Sequence, residues 1–263
     1  MTFTLLAVLS YAIATALLVR SLSRGVENPT GWTVPAVLGL LAHAGFHLAA
    51  WREADGLDLH FFAALSLVGL GMAGLTTLFG AAGRMAALGV IVFPMAAISL
   101  LGYAAYGHVR PEQGLDWRLQ LHAWCALLAY ATLAIAAILA IMLWAQERAL
   151  RRRHFHGWLR ALPPLTELEL LLFRTIAVGF VLLTATLLTG VLFVENLLEQ
   201  HLLQKTVLSV LSWLLFGGLL LGRWRYGWRG TIAVRWTLSA MALLVLAFFG
   251  SKFALELVLP HPA

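Results

Sequence analysis

Histidine is the residue type in this sequence that most clearly could carry chemistry, and the chain contains nine histidines. His43 and His47 are four residues apart in the segment LLAHAGFHLAAW, so a helix places both side chains on one face. His122 lies in a second apolar segment, LQLHAWCALLAY. Ionisable side chains inside apolar spans are costly to bury and commonly mark functional sites. These imidazoles are therefore the first candidates for a binding site.

Two imidazoles from different helices can bind a haem iron on its two axial sides, which leaves the apolar porphyrin faces against apolar helices. His43 lies roughly 12 Å from the outer boundary of its span at Trp51, counting about 1.5 Å per residue. We expect His43 and His122 to be the axial ligands, which would make them the metal ligands of a bound haem. Either histidine is also compatible with a packing role in which internal hydrogen bonds satisfy the ring.

The remaining histidines have simpler interpretations. His47 and His60 are close enough to the membrane interface for solvation alone to account for them, and His108 and His201 occupy predicted loops. Three arginines near the same side of the membrane are placed to contact the haem propionates: Arg52, Arg110 and Arg118.

Other chemistry finds little support in the sequence. It contains no phosphate-binding glycine loop, no HExxH zinc motif and no GxSxG nucleophile motif. The first seven apolar runs contain no acidic residue, so a carboxylate proton relay is not expected. The one cysteine, Cys125, excludes an internal disulfide and a two-cysteine metal site. We expect a protein that is not an enzyme.

The elements that must position these residues are apolar runs long enough to cross a bilayer, for which about 20 residues suffice. The first run follows no basic segment and exceeds the usual apolar core of a signal peptide, so we interpret it as a retained span. The chain has eight such runs, at about 3–19, 33–51, 59–80, 85–107, 119–146, 175–194, 206–222 and 236–258.

The composition favours the bilayer as the main solvent. Hydrophobic residues make up 61% of the chain and charged residues 11%, whereas an average soluble domain is about 25% charged. We expect an all-α polytopic membrane bundle in which residues 1–263 form a single integral-membrane domain. The net charge of +6 does not indicate a nucleic-acid partner, because the basic residues lie in loops between apolar runs.

The distribution of basic residues predicts the topology. The turn between the last two runs contains four arginines with tryptophans among them, which is typical of a cytoplasmic loop. With this turn inside, 13 of the 18 basic residues fall on the cytoplasmic side. Both termini are then non-cytoplasmic. A further cytoplasmic connection runs from Gln146 to Glu169, and Thr166 with Glu169 resembles a capping box before the sixth span.

Several segments of the C-terminal half resemble a known family. These are LPPLTELELLLFRTIAVGFVLLTATLLTGVLF, KTVLSVLSWLLFGGLLLGRWRYGWRG and LAFFGSKF, together with LHAWCALLAYATL after Gln120 and GWRG at residues 227–230. They are similar to the integral-membrane cytochrome c assembly family, which includes the haem-handling CcsA and CcmC proteins, and most of all to its YpjD/HemX-like branch. The resemblance covers residues 121–253 and implies a multi-helix membrane protein that handles haem on its outer side.

The resemblance also implies site residues. In haem-handling members an outer segment of the pattern WGxxWxWDPKE, flanked by histidines, precedes the span that here begins near Lys205. His122 matches the first flanking histidine, His261 is the candidate for the second, and Lys205 corresponds to the lysine of the PKE end, where it suits a propionate. The corresponding segment here, FVENLLEQHLLQK, contains no tryptophan, and Leu221 stands where CcsA proteins have a histidine.

Two hypotheses follow for the function. In the first, the chain is a non-enzymatic cytochrome c assembly family protein that binds or handles haem in the outer half of its bundle. In the second, it is a haem-free accessory or regulatory subunit of another membrane protein, such as a transporter. A solute transporter in its own right is not expected, because neither broken spans nor a water-lined polar path is evident.

Overall fold

The computed structural model describes residues 1–26, 30–54, 56, 58–80, 86–107, 116–152, 163–193 and 200–253. In these residues the regular structure is helical throughout. The principal helices are α1 (Thr2–Ser23), α2 (Thr33–Ala54), α3 (Phe61–Gly80), α4 (Gly89–Tyr106), α5 (Trp117–Arg151), α6 (Leu165–Phe193), α7 (Gln200–Tyr226) and α8 (Thr231–Val245). A short 3-10 helix, Ala86–Leu88, leads into α4, and α8 continues through a π-helical turn, Leu246–Gly250, into Ser251–Phe253.

Eight of the described helical segments are long and apolar enough to cross a membrane, which confirms the all-α class and the predicted number of spans. Their ends differ from the apolar runs. Helix α5 has 35 residues, and α6 begins at Leu165, ten residues before the predicted start of its span. An apolar run in the sequence marks only the part of a helix that lies inside the hydrocarbon, so the helix can extend beyond the run. Because α6 begins at Leu165, Thr166 lies in its first turn and not at its N-cap.

Helices α1 to α4 form one compact unit, and α5 to α8 form a second. In the first unit α1 packs against α2 and α4, and α3 packs against α4. Small residues allow the close approach at Gly69 and Gly80. A Cβ added at Gly69 would collide with the Ser99 hydroxyl of α4, and one at Gly80 would lie 2.9 Å from the Trp32 ring.

In the second unit α5 packs along α6 and also against α8, and α7 packs against α6 and α8. The Tyr130 hydroxyl of α5 donates a 2.5 Å hydrogen bond to the Leu244 carbonyl of α8, just before the π-helical turn. The Tyr130 ring also packs against Phe248 and Phe249 within that turn. The family-like segments LHAWCALLAYATL and LAFFGSKF therefore meet through this tyrosine.

The arginine-rich turn between α7 and α8 is fixed by a carboxylate of α6. Glu169, which is buried, lies 2.9 Å from Arg223 and 3.6 Å from Arg229. Arg223 also donates to the Trp228 carbonyl at 3.1 Å. Gly230, with φ of 57°, begins α8, and a Cβ there would lie 2.6 Å from the Glu147 carboxylate of α5. The GWRG segment, which leads into α8, therefore lies against residues of α5, α6 and α7.

Candidate functional site

A chain of hydrogen-bonding side chains begins from the two histidines of α2. The Ser66 hydroxyl of α3 lies 2.9 Å from His43 Nε2 and 3.0 Å from His47 Nε2. On the other side of His43, the Tyr11 hydroxyl of α1 lies 3.3 Å from Nδ1. Three helices therefore hold the His43 ring, which is fully buried.

The available protons determine which groups in this hydrogen-bonded series donate and which accept. The Ser66 hydroxyl has one proton and two lone pairs, so it donates to at most one of the two imidazoles and accepts from the other or from both. If His43 donates to Ser66 through Nε2, its Nδ1 accepts from Tyr11; in the reverse arrangement its Nδ1 donates to Tyr11. In both cases the two ring nitrogens of His43 are hydrogen-bonded, as the packing role requires. Iron ligation by His43 would need one of these bonds to break, and its ligand role stays a prediction.

A second polar group lies where α2, α3 and α4 approach the same end of this unit. Asp58 Oδ1 lies 2.6 Å from His60 Nδ1 and accepts from the His60 backbone N–H at 3.1 Å. Its Oδ2 accepts from the Tyr103 hydroxyl at 3.1 Å. Burial tends to raise the pKa of the Asp58 carboxyl, but hydrogen bonds from His60 and Tyr103 and the charge of His60 outweigh it, so the pKa lies below its usual value. The ionised carboxylate therefore holds the His60 ring in one orientation.

Tyr103 connects the two polar groups. Its ring stacks on His47 with centroids 5.2 Å apart and lies against His60 at 5.3 Å. The expectation that solvation at the interface alone accounts for His47 and His60 is therefore wrong. Both rings are held by side chains of neighbouring elements.

The second unit holds His122 of α5 against α6. His122 Nδ1 lies 3.1 Å from the Thr189 hydroxyl oxygen. Because that hydroxyl already donates to a carbonyl of its own helix at 2.8 Å, it accepts from His122, and Nδ1 carries the proton. Nε2 is then the nitrogen that keeps its lone pair, and the His122 ring also hydrogen-bonds the Thr186 backbone. Gly190 leaves room for the ring, since a Cβ there would lie 3.2 Å from His122 Cε1.

The other predicted site residues lie at helix ends or outside the described residues. Arg118, at the start of α5, is exposed, lies 3.9 Å from the Asp116 carboxylate and stacks on Trp117. Lys205 is half-buried in the second turn of α7. His261 lies outside the described residues. His43 belongs to the first unit and His122 to the second, and their pairing stays a prediction.

The donor set suits haem better than a bare metal ion. Among the described residues, no group of three or more His, Cys, Asp or Glu side chains is placed to hold a metal. A haem iron needs only one or two protein ligands, because the porphyrin supplies four nitrogens. His122 has the arrangement that such a ligand requires, with one nitrogen held by a hydrogen bond and the other available.

Eight apolar helices with buried imidazoles define a polytopic α-helical membrane protein. The model of the Cytochrome C assembly protein family matches residues 32–259, and the chain belongs to this family. The resemblance expected from the sequence is thus confirmed.

Three relatives illustrate how far the similarity extends. The inner membrane protein YpjD of Escherichia coli strain K12 is 30% identical over 97% of this chain and 98% of its own length. An uncharacterized 28.8 kDa protein of Azospirillum brasilense is 32% identical over 89% of this chain and 83% of its own. Protein HemX of Brevibacillus brevis is 27% identical over 50% of this chain and 49% of its own. No solved structure matches the chain. The chain is a bacterial inner-membrane protein.

Several residues of these clusters were not predicted as site residues. Tyr11, Ser66 and Thr189 contribute single hydroxyls from apolar segments, which no local pattern distinguishes from packing residues. The pair Asp58 and His60 did leave a signal, since an acid stands two residues before a histidine at the start of an apolar run.

Proposed function

We propose that the chain binds and handles haem at the ends of its helices where the imidazoles lie, without catalysing a reaction. The observation that carries this proposal is the geometry of His122, whose Nδ1 donates to Thr189 while Nε2 keeps its lone pair. Membership of the cytochrome c assembly family supports it, because cytochromes c contain covalently bound haem. A bound haem would supply a redox-active iron with free axial positions.

In this proposal both termini are non-cytoplasmic, so the histidine-bearing ends face the periplasm. The basic residues support this orientation, since 13 of the 18 fall at the opposite helix ends and loops. His43, Lys205, Arg118 and His261 keep their predicted roles, the histidines toward iron and the basic side chains toward the propionates. A propionate would pair with the Arg118 guanidinium, either in place of the Asp116 carboxylate or together with it.

The test is a titration of hemin into the detergent-purified protein, followed by absorption spectroscopy. We expect a Soret band with the features of imidazole ligation, and we expect His122→Ala to weaken hemin binding by more than about tenfold, since loss of even a supporting residue commonly costs 10–100-fold. His156→Ala, which removes an imidazole from the basic α5–α6 connection, is the control. Thr189→Val keeps the imidazole but removes its support, and should weaken binding less than His122→Ala does.

A wild-type protein that gives no Soret band on titration would overturn the proposal and favour the haem-free subunit. A band that His122→Ala and His156→Ala change equally would remove His122 from the site.

A further inference from the structure

His60 has a buried nitrogen that nothing in the described part of the chain satisfies. Its Nε2 is shielded from solvent and has no hydrogen-bond partner there, although 19% of the side chain is exposed. A buried polar atom left without a partner costs about 1–3 kcal/mol, so such an atom calls for a ligand or another explanation.

The other side of the same ring is held firmly. The 2.6 Å contact between Asp58 Oδ1 and His60 Nδ1 requires a proton between the two atoms. Asp58 itself is fixed by the His60 backbone N–H and by the Tyr103 hydroxyl. In the neutral ring, with its proton on Nδ1, Nε2 presents a lone pair in a direction set by three contacts on the carboxylate. A carboxylate that accepts from the distal nitrogen of a histidine is the usual support of a metal-bound imidazole, and it raises the basicity of the ligand.

The surroundings of Nε2 limit the kind of metal centre. The described residues offer no cluster of three or more ligating side chains, which a bare zinc or copper ion would need. The ring is bordered by Phe62, with centroids 6.4 Å apart, and by Tyr103. Such an aromatic environment suits the porphyrin of a haem, which brings four of its own iron ligands.

We infer that His60 is a haem-iron ligand within the α1–α4 unit, with Asp58 as its positioning residue. This inference rests on the proposed haem-binding function and changes its ligand set. His43 is less suitable because both of its ring nitrogens already contact hydroxyls, at 3.3 and 2.9 Å. His60 needs no hydrogen bond to be broken, since Nδ1 stays with Asp58 while Nε2 ligates.

The test uses the full-length protein in detergent and hemin as the probe. His60→Gly removes the ligand and leaves a cavity of the size of an imidazole. We expect the hemin complex to change from a six-coordinate low-spin to a five-coordinate high-spin spectrum, and we expect added imidazole to restore the low-spin form. Rescue by imidazole separates ligand loss from misfolding, because free imidazole does not repair a disrupted helix bundle. Wild-type protein with the same imidazole is the control.

The role of Asp58 has its own measurement. Asp58→Asn keeps a hydrogen-bonding side chain but removes the charge, so the imidazole becomes a weaker donor to iron. We expect the haem midpoint potential to rise while the low-spin spectrum is kept. Tyr103→Phe removes a hydrogen bond that the same carboxylate accepts and so leaves Asp58 a stronger acceptor for His60; this variant should not raise the potential.

The possible outcomes separate the two proposals. A wild-type protein that gives no hemin spectrum overturns the haem-binding function, and this inference with it. A wild-type spectrum that His60→Gly leaves unchanged, or that only His43→Ala alters, overturns the assignment of His60 alone. A His60→Gly spectrum that changes but does not respond to imidazole also overturns the ligand role.

Discussion

One hydroxyl group, that of Ser66, determines how two imidazoles of α2 are arranged. It contacts Nε2 of both His43 and His47, yet it has one proton to donate. At least one of the two rings therefore donates to it, and Tyr11 lies within hydrogen-bonding distance of His43 Nδ1. Among the described residues, hydroxyl groups of Tyr11 and Ser66 supply the hydrogen bonds of this histidine pair.

Removing that hydroxyl should be costly for the fold. Ser66→Ala leaves nitrogens of two imidazoles without partners in an apolar environment, and we expect it to lower the free energy of unfolding by about 1–3 kcal/mol. Ser99→Ala is the matched control, because the Ser99 hydroxyl is also buried but donates to the Ala96 carbonyl of its own helix. Unfolding by SDS in mixed micelles measures both, and equal effects would contradict the bridging role.

The arginines of the α7–α8 turn also differ residue by residue. Arg223 contacts Glu169 at 2.9 Å and stacks on Phe173 at 4.6 Å, whereas Arg225 is exposed. We expect Arg223→Gln to destabilise the protein by about 1.5–3 kcal/mol, the range for hydrogen bonds to charged groups. Arg225→Gln should change stability by less than about 0.5 kcal/mol. The same micelle assay compares them, and a larger effect at Arg225 would refute this account of the turn.

At the scale of helices, the backbone of the turn explains why GWRG contains two glycines. Gly227 has φ of 67° and an open position for a Cβ, while Gly230 has φ of 57° and faces the Glu147 carboxylate. Residues with a side chain rarely adopt such backbone angles. Position 230 therefore requires glycine for a steric reason, the nearby Glu147 carboxylate, as well as for a conformational one.

These two glycines make a matched pair of substitutions. Gly227→Ala should cost about 1–2 kcal/mol from backbone strain alone. Gly230→Ala adds the collision with Glu147, and with overpacking of about 1–3 kcal/mol we expect a total of about 2–5 kcal/mol. Folding yield and SDS unfolding in micelles provide the measurement. If Gly230→Ala proved the milder of the two, the contact between Glu147 and the start of α8 would be wrong.

The sequence predicts the helices better than their ends. A run without charges identifies each of the first seven spans, and the eighth run has no charge before Lys252, because burying a charge in hydrocarbon is costly. It does not reveal that α6 begins at Leu165, since its first two turns contain Glu167 and Glu169 and lie outside the apolar run. The capping interpretation of Thr166 and Glu169 fails for a tertiary reason. Glu169 binds arginines from another helix, which no local pattern encodes.

At the scale of the whole molecule, the sequence identifies imidazoles but not their partners. His43 and His122 stand out as ionisable residues in apolar runs, and the structure places both in buried or half-buried hydrogen-bonded positions. Their partners Ser66 and Thr189 lie 23 and 67 residues away in the chain. Such contacts depend on how helices pack, and sequence periodicity within one helix does not contain that information.

The proposed orientation in the membrane leads to a direct experiment. In a Cys125→Ser background, Tyr226→Cys reports on the arginine-rich turn and Trp117→Cys on the opposite end, and both positions are exposed, at 73% and 63%. We expect a membrane-impermeant maleimide to label position 117 in intact spheroplasts and position 226 only after lysis. Labelling in the reverse order would place the histidines on the cytoplasmic side and remove periplasmic haem handling.

The π-helical turn at Leu246–Gly250 has a consequence for the end of the last span. Such a turn holds one more residue than an α-helical path of the same length, and each residue of an α-helix advances by about 100°. Deleting one residue there would restore a regular helix and rotate Ser251–Phe253, which include Lys252, by that angle relative to the residues before the turn. The widened turn thus sets which side of the final helix presents its cation at the membrane surface.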